Sequence, residues 1–337
     1  MDAQPKMLPE LIETLAGAVY PSFAMLAGME LDLFTPLGNG AQSAQDIAAA
    51  AGTHPEKTAV LLNALVATGL LTREGDRFSN TGEANEFLVR GKPSYIGMRH
   101  HAYRRRWNSV LSVVETIRRG VPQRGIDYAG MPAEARDAFY RGTFTECRAA
   151  GSYLAASEDL SACRSLVDIG GGSGGLAIAM AEAWPELSVT IADLPVNEPV
   201  AKRYIAEAGL SDRIHVRATD FVKEPLGGPY DVAAIRGVFP VLPPEQILGT
   251  LANAHAALQP DSLLYVIGWI LDDSRVSPVS YATYNLMYAN DYADALAHTE
   301  ADHRAWLEQA GFEFVKRQRT APVYGADFIV ARKRAKA

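Results

Sequence analysis

The chain has 337 residues, is 48% hydrophobic with 4 Trp, 14 Tyr and 11 Phe, and carries a formal net charge of −7. That length and apolar content suffice for two domains with a large buried core, while the acidic balance disfavours a general nucleic-acid binder. Cys147 and Cys163 make neither a disulfide framework nor a metal spacing, so a reducing, cytoplasmic home is expected.

In chain order, residues 1–10 hold Asp2, Glu10 and two prolines and do not read as a signal peptide. Met25, Leu26, Met29, Leu31, Leu33 and Phe34 then crowd apolar surface into a small N-terminal unit, and covering it with a second copy predicts a homodimer. Ser43 caps a helix that runs to Ala51 and stops at Gly52. Thr53 and Glu56 have the spacing of a capping box; the helix they open carries Leu61, Leu62, Leu65 and Val66 on one stripe and stops at Gly69. Segments 70–72 and 77–79 flank Glu74, Gly75 and Asp76 as a hairpin. Two short helices and a wing make a winged helix. Its second helix offers only Lys57 and His54 as cations, so a structural role is expected and no nucleic-acid partner.

Residues 95–155 read as a helical connector. Its basic residues, among them Arg104, Arg105 and Arg106, form a solvated helix face or supply one Arg to an anionic group of a substrate. Tyr140 and Phe144, four apart, share a helix face that is either core or the roof of a ligand site.

Residues 166–175 are the most informative stretch: an apolar run closes on Asp168 and opens into Gly170, Gly171, Gly172, Ser173, Gly174 and Gly175 before a helical segment. Such a strand–turn–helix brings backbone N–H groups close to a small ligand, because glycine lacks an obstructing Cβ. Gly170, Gly172 and Gly175 satisfy G-x-G-x-x-G, which raises a dinucleotide. The acids argue otherwise. Asp168, Asp193 and Asp220 end three successive apolar segments, and a row of carboxylates suits hydroxyls and positive charge better than two phosphates. S-adenosylmethionine (SAM), with its ribose diol, amino group and sulfonium, fits that row.

Strands are expected at 166–169, 189–192, 214–218, 231–236, 263–269, 312–319 and 328–332. The early strands alternate with helices, which demands right-handed crossovers and a parallel sheet; the close final pair inserts one antiparallel strand. The longest apolar run, 263–271, is about half a membrane span and reads as a buried strand, so no membrane partner is expected. His298 and His303, five apart, fit no same-face metal pair, and no metal site is expected.

Taken together, residues 26–34, 67–71, 80–81, 167–174, 192–195, 299–300 and 309–312 resemble the two-domain SAM-dependent O-methyltransferases of the plant caffeate and bacterial polyketide or phenazine type. The resemblance implies an α/β, Rossmann-like seven-stranded sheet. It also implies a winged-helix dimerisation domain over 1–100, a connector contributing to the substrate pocket over 101–155, and a SAM-binding catalytic domain over 156–337. By the same resemblance Asp168, Gly170 and Gly172 hold the methionine end of SAM. Asp193, with Leu194 beside it, takes both ribose hydroxyls. Asp220 and Phe221 flank adenine, and Arg236 is a basic group near the cofactor. Tyr140, Phe144, Phe239, Trp269, Tyr284, Asn285 and Tyr288 border a small-molecule acceptor.

The departures bear on the chemistry. The family's histidine base aligns with Pro240, and two accompanying acids align with Gly268 and Ala297. Methyl transfer is an in-line displacement, driven largely by holding the nucleophile about 3–3.5 Å from the methyl. A neutral phenol also needs a base, worth roughly 10²–10⁴-fold. Nitrogen, activated carbon or an already ionised oxygen needs much less help. Asp291 and His298 are the remaining candidates to orient or deprotonate an acceptor. Two other readings remain: a non-methylating SAM-bound enzyme such as a hydroxylase, decarboxylase or pericyclase, which the missing base supports, and a SAM-sensing regulator that uses the winged helix.

Overall fold

The computed structural model describes residues 8–92, 94–293, 296–320 and 327–334. The chain divides into two compact units, Met1–Arg104 and Arg105–Ala337.

The first unit opens with α1 (Glu10–Gly17) and α2 (Val19–Glu30). Leu11, Ile12, Leu15 and Tyr20 stand 71%, 67%, 67% and 76% exposed, although Leu26 and Met29 at the far end of α2 are buried. The stretch Glu10–Glu30 is long and apolar enough to cross a membrane by length and composition, with a mean hydropathy of 1.3. The longest unbroken apolar run, 263–271, lies elsewhere because the apolar residues of this stretch are interrupted by polar ones.

Strand β1 (Gln42–Ser43) leads into α3 (Ala44–Ala51). Ser43 accepts from the Asp46 amide while Asp46 reaches back, and Gly52 ends the helix at φ 64°. The cap of α4 (Pro55–Ala67) differs from expectation: His54 occupies the capping position without a side-chain bond. Thr53 Oγ1 instead meets Thr58 Oγ1 at 2.6 Å. Pro55 explains the shift, since its fixed φ starts the helix and it has no amide to satisfy. Leu62 and Leu65 of the expected stripe are wholly buried. The wing is β2 (Leu71–Glu74) paired with β3 (Arg77–Asn80) across Gly75 and Asp76, with β1 on the other side of β3. Helix α5 (Gly82–Phe87) follows.

Helix α6 (His100–Val110) crosses the division between units, and α7 (Val113–Arg119) and the 25-residue α8 (Ala133–Ser157) belong to the second. Then come β4 (Ser165–Ile169), α9 (Gly175–Ala183), β5 (Ser188–Asp193), α10 (Glu198–Glu207), β6 (Ile214–Ala218) and β7 (Tyr230–Arg236). The chain continues through α11 (Pro244–Ala257), β8 (Leu258–Gly268), α12 (Val279–Asp291), α13 (Glu300–Gln309), β9 (Phe312–Gln318) and β10 (Asp327–Lys333). The sheet order is β6-β5-β4-β7-β8-β10-β9, and β10 runs antiparallel to both of its neighbours.

Successive residues of each strand serve opposite faces, as the two-residue period requires. Leu166, Val232, Ala234, Tyr265 and Ile267 pack with α8, α9 and α10, whereas Val167, Ile169, Ala233, Ile235 and Val266 pack with α11 and α13. Both faces are therefore buried, which leaves the carboxyl ends of β4, β5, β7 and β8 as the place for a ligand. Helices α8 and α9 approach at glycine: a Cβ on Gly151 would fall 2.9 Å from the Leu176 carbonyl, and one on Gly175 would fall 2.6 Å from the Phe144 carbonyl.

Candidate active site

The turn after β4 is shaped by glycines that no other residue could replace. Gly170 and Gly172 lie at φ +70° and +57°, in the left-handed region. A Cβ on Gly170 would sit 2.5 Å from Val238 and 3.5 Å from the Phe221 ring, and one on Gly172 would sit 2.6 Å from the Tyr140 ring. Tyr140 and Phe221 thus close on the turn from opposite neighbours. Phe144 shares the face of Tyr140 but stacks on Tyr204, with ring centroids 4.2 Å apart, and packs into the sheet core.

Asp168 is wholly buried beneath the turn; the Ala177 amide approaches it, yet neither carboxylate oxygen has a hydrogen-bond partner of normal geometry among the described residues. Burial, reinforced by nearby Asp193, pushes its carboxyl up to about 7. An orphaned buried acid beside a glycine cradle is a receptor for a cationic or donor group. Asp193 is better satisfied. Its Oδ2 accepts from the Gly172 amide at 2.6 Å, and its Oδ1 accepts from the Leu194 amide at 2.6 Å and Asn197 Nδ2 at 2.9 Å. A carboxylate offers about four acceptor positions, so about one is left for a diol unless a present partner yields. Asp220 accepts from the Val222 amide and pairs with Lys223 at 3.0 Å, the local loop arrangement that a lone acid there also allows.

Beyond β7, Phe239, Pro240 and Val241 form a short 3-10 turn. Pro240 is buried there and presents no proton acceptor. The Phe239 ring is 1% exposed, lying over His303 and against Trp306. His298 is buried next to the same turn, hydrogen-bonded to the Phe239 backbone, and its Nε2 has no partner among the described residues. Burial lowers its proton affinity, which keeps the ring neutral near pH 7. His303 is lowered further, to about 4.

On the other side stands an aromatic wall. Trp269, just past β8, stacks on Tyr284 with centroids 4.7 Å apart and planes 7° apart, and Tyr288 meets Tyr284 edge-on at 5.4 Å. Burial pushes the Tyr284 phenol up to about 12 and also raises Tyr288, so both remain neutral donors. Asn285 faces away from this wall and accepts the Ala297 amide at 2.7 Å, anchoring the segment before His298. Asp291 is 1% exposed and already held by Arg105 at 3.1 Å and by the Ser109 hydroxyl.

Sequence reasoning left one feature unassigned. Arg106 and Glu146, 40 residues apart, form a buried bidentate pair, and Arg236 lies on the far side of the same carboxylate. The sequence offered Arg106 within a basic run and Arg236 near the cofactor, but nothing in it joined either to Glu146. Among the described residues no three His, Cys, Asp or Glu side chains gather as a metal site would need.

This geometry has known counterparts. The O-methyltransferase domain matches residues 120–313 and the O-methyltransferase dimerisation domain matches residues 13–90. The chain belongs to the O-methyltransferase family. The methyltransferase is 31% identical to the 3-hydroxy-5-methyl-1-naphthoate 3-O-methyltransferase of Streptomyces sahachiroi, over 96% of this chain and 94% of that one. It is 30% identical to the N,N-dimethyltransferase OxyT of Streptomyces rimosus, over 94% of each. Human N-acetylserotonin methyltransferase, solved with SAM, shares the fold at a TM-score of 0.83 and 23% identity, covering 99% of this chain and 100% of that one. The protein is a SAM-dependent methyltransferase with the seven-stranded mixed sheet of its class and a helical dimerisation domain. The glycine cradle and the orphaned Asp168 fit that cofactor, which when bound supplies an electrophilic methyl group.

Proposed function

We propose that this methyltransferase modifies a small aromatic or heteroaromatic metabolite at nitrogen, activated carbon or an already ionised oxygen, without the histidine base usual in its family. The supporting observation is the turn after β7, where Phe239, Pro240 and Val241 offer no proton acceptor. Relatives that methylate oxygen of a naphthoate and nitrogen of another compound show how widely the acceptor varies on this scaffold.

In this reading Asp168, Gly170 and Gly172 seat the methionine end of SAM. Asp193, Leu194, Asp220 and Phe221 seat its nucleoside, with Arg236 near the cofactor. Tyr140 roofs the glycine turn and contributes to the acceptor pocket from the connector, whose far wall is Trp269, Tyr284 and Tyr288. Catalysis rests chiefly on orientation: a neutral amine or an enolate needs only to be held in line with the transferred carbon. His298, neutral and with no partner at Nε2 among the described residues, takes the proton that an aromatic amine sheds after methyl transfer, from a far stronger acid than a neutral phenol. Asp291, bound on both sides by Arg105 and Ser109, is a positioning residue.

The same reading makes the protein a cytoplasmic homodimer joined through α1 and α2, whose bare apolar residues a second copy covers more simply than a lipid bilayer does. The chemistry is tested by following S-adenosylhomocysteine (SAH) formation with an aromatic amine, a 1,3-dicarbonyl and a neutral catechol at pH 7. Turnover of the first two and not of the catechol is expected; rapid methylation of the catechol overturns the substrate class. His298→Ala should lower kcat with SAH affinity unchanged, and should remove an acid limb that lies below the usual imidazole range.

A further inference from the structure

Beneath the aromatic wall, two guanidinium groups share one carboxylate. Arg106 holds Glu146 through Nη1 and Nη2, each 2.6 Å from a carboxylate oxygen. Arg236 comes no closer than 3.9 Å to Glu146 and makes one hydrogen bond, from Nη1 to Cys147 Sγ at 3.1 Å. The side chains of Arg106, Arg236 and Glu146 are 11%, 10% and 8% exposed. Burial pushes the Cys147 thiol up, so it stays uncharged. Arg105 is matched by Asp291. Asp168 also lies within electrostatic reach of Arg236, but in the reading above its charge is matched by the amino group of the cofactor.

The cluster therefore holds a surplus of positive charge. Its unused donors are specific: Arg106 Nε, Arg236 Nε and Arg236 Nη2 are buried without a hydrogen-bond partner among the described residues. A buried guanidinium with vacant donors is costly until an anion completes it. Both cations also touch the wall. Arg106 lies 5.3 Å from the Tyr284 centroid and Arg236 lies 5.7 Å from the Trp269 centroid, on the two rings that stack together.

We propose that Arg106 and Arg236, set by Glu146, recognise a carboxylate on the acceptor. The acceptor is then an aromatic acid, its ring against Tyr284, Trp269 and Tyr288 and its carboxylate on the vacant guanidinium donors. Planar N–H forks match carboxylate geometry, and the adjacent rings supply a flat apolar surface for the rest of the molecule. The inference rests on the methyltransferase reading above and adds the charge of the substrate. The rival source of an anion is the carboxylate of the cofactor itself, and the experiment separates the two.

The probes are 2-naphthoate and 2-naphthamide, titrated into the wild-type protein saturated with SAH. The two differ by one charge and hardly in shape. Hydrogen bonds to charged groups are worth about 1.5–3 kcal/mol, so the acid should bind roughly 10–100-fold more tightly than the amide. In the double variant Arg106→Gln/Glu146→Gln, which removes the ion pair without stranding either partner, the preference should fall severalfold while SAH affinity stays the same. Arg236→Gln separates the claimants: loss of naphthoate discrimination with SAH binding retained supports the proposal. Three results overturn it: equal binding of acid and amide by the wild type, no binding of either at millimolar concentration, or loss of SAH affinity in step with naphthoate in the variants. Failure of SAH to bind the wild type would instead remove the functional reading beneath it.

Discussion

Arg105 and Asp291, 186 residues apart in the chain, meet as an ion pair at 3.1 Å. The pair ties the end of α12 to α6, and the neighbouring Asn290 strengthens the seam by donating to the Ser109 carbonyl at 2.8 Å. Asp291→Ala leaves a guanidinium and a hydroxyl without their acceptor. A buried pair broken on one side costs roughly 3–5 kcal/mol, and partial solvation of Arg105 reduces this to about 2. Denaturant melts should show that loss, a smaller one for Asp291→Asn, and SAH affinity unchanged within about twofold. A stable Asp291→Ala protein with normal SAH binding and no turnover would give Asp291 a direct chemical role instead.

Gly172→Ala should weaken cofactor binding while leaving the fold nearly intact. The new methyl group meets the Tyr140 ring at 2.6 Å on a backbone held at φ +57°. The turn must move, and the Gly172 amide bonded to Asp193 moves with it. A strained left-handed residue costs roughly 1–3 kcal/mol, so SAH affinity should fall at least about tenfold by calorimetry. Unchanged affinity would show that the turn does not touch the ligand.

Asp168 links cofactor binding to pH. Burial followed by the charge of Asp193 raises its carboxyl to about 7, above the unfolded value, so the folded apoprotein prefers the protonated acid. Its contribution to stability is full below about pH 4 and is lost as pH rises through about 7. Apoprotein melting temperatures should therefore decline across that window, and Asp168→Asn should flatten the decline. A cationic amine bound beside Asp168 favours the ionised form, so SAH should bind more tightly as pH climbs through 7 and should release a proton. Calorimetry in two buffers of different ionisation enthalpy reads that proton; none released would refute the linkage.

Leu15→Glu should convert the proposed dimer to monomer. Leu11, Ile12 and Leu15 are each at least 67% exposed on α1, and one buried charge per copy in a two-fold interface is not matched by its symmetry mate. Sedimentation at micromolar concentration distinguishes the outcomes. A wild-type protein that sediments as monomer removes the interface altogether.

The sheet was legible in the sequence because each strand alternates or runs apolar between turn residues: the expected 214–218 coincides with β6, and the final pair 312–319 and 328–332 lies within about a residue or two of β9 and β10 at most ends. β8 begins five residues earlier than expected, at Leu258, which pairs with Tyr230 before an irregularity that resumes the ladder at Leu263 opposite Val232. The glycine turn was legible for a stereochemical reason, because positive φ and close approach leave glycine few substitutes. The charge cluster was not. Arg106 stood in a basic run that reads either as a solvated face or as the source of one substrate-binding Arg, and nothing local distinguishes it from Arg104, which pairs with Glu30. Only the path of α8 brings Glu146 to it. The partners of Asp291 and Phe239 were hidden for the same reason: spacing puts a residue on a helix or beside a turn, and tertiary contacts decide what its side chain meets.

Helix α8 spans both halves of this chemistry. One turn carries Tyr140 against the glycine cradle, and less than two turns later Glu146 holds Arg106 while Cys147 meets Arg236. The rod lies on α9 with glycine at the contact, so it has little room to bend between these points. A small roll of α8 is thus felt at both ends at once, and cofactor and acceptor should report on each other's presence: whichever arrives first sets the pitch of the helix against which the second must dock.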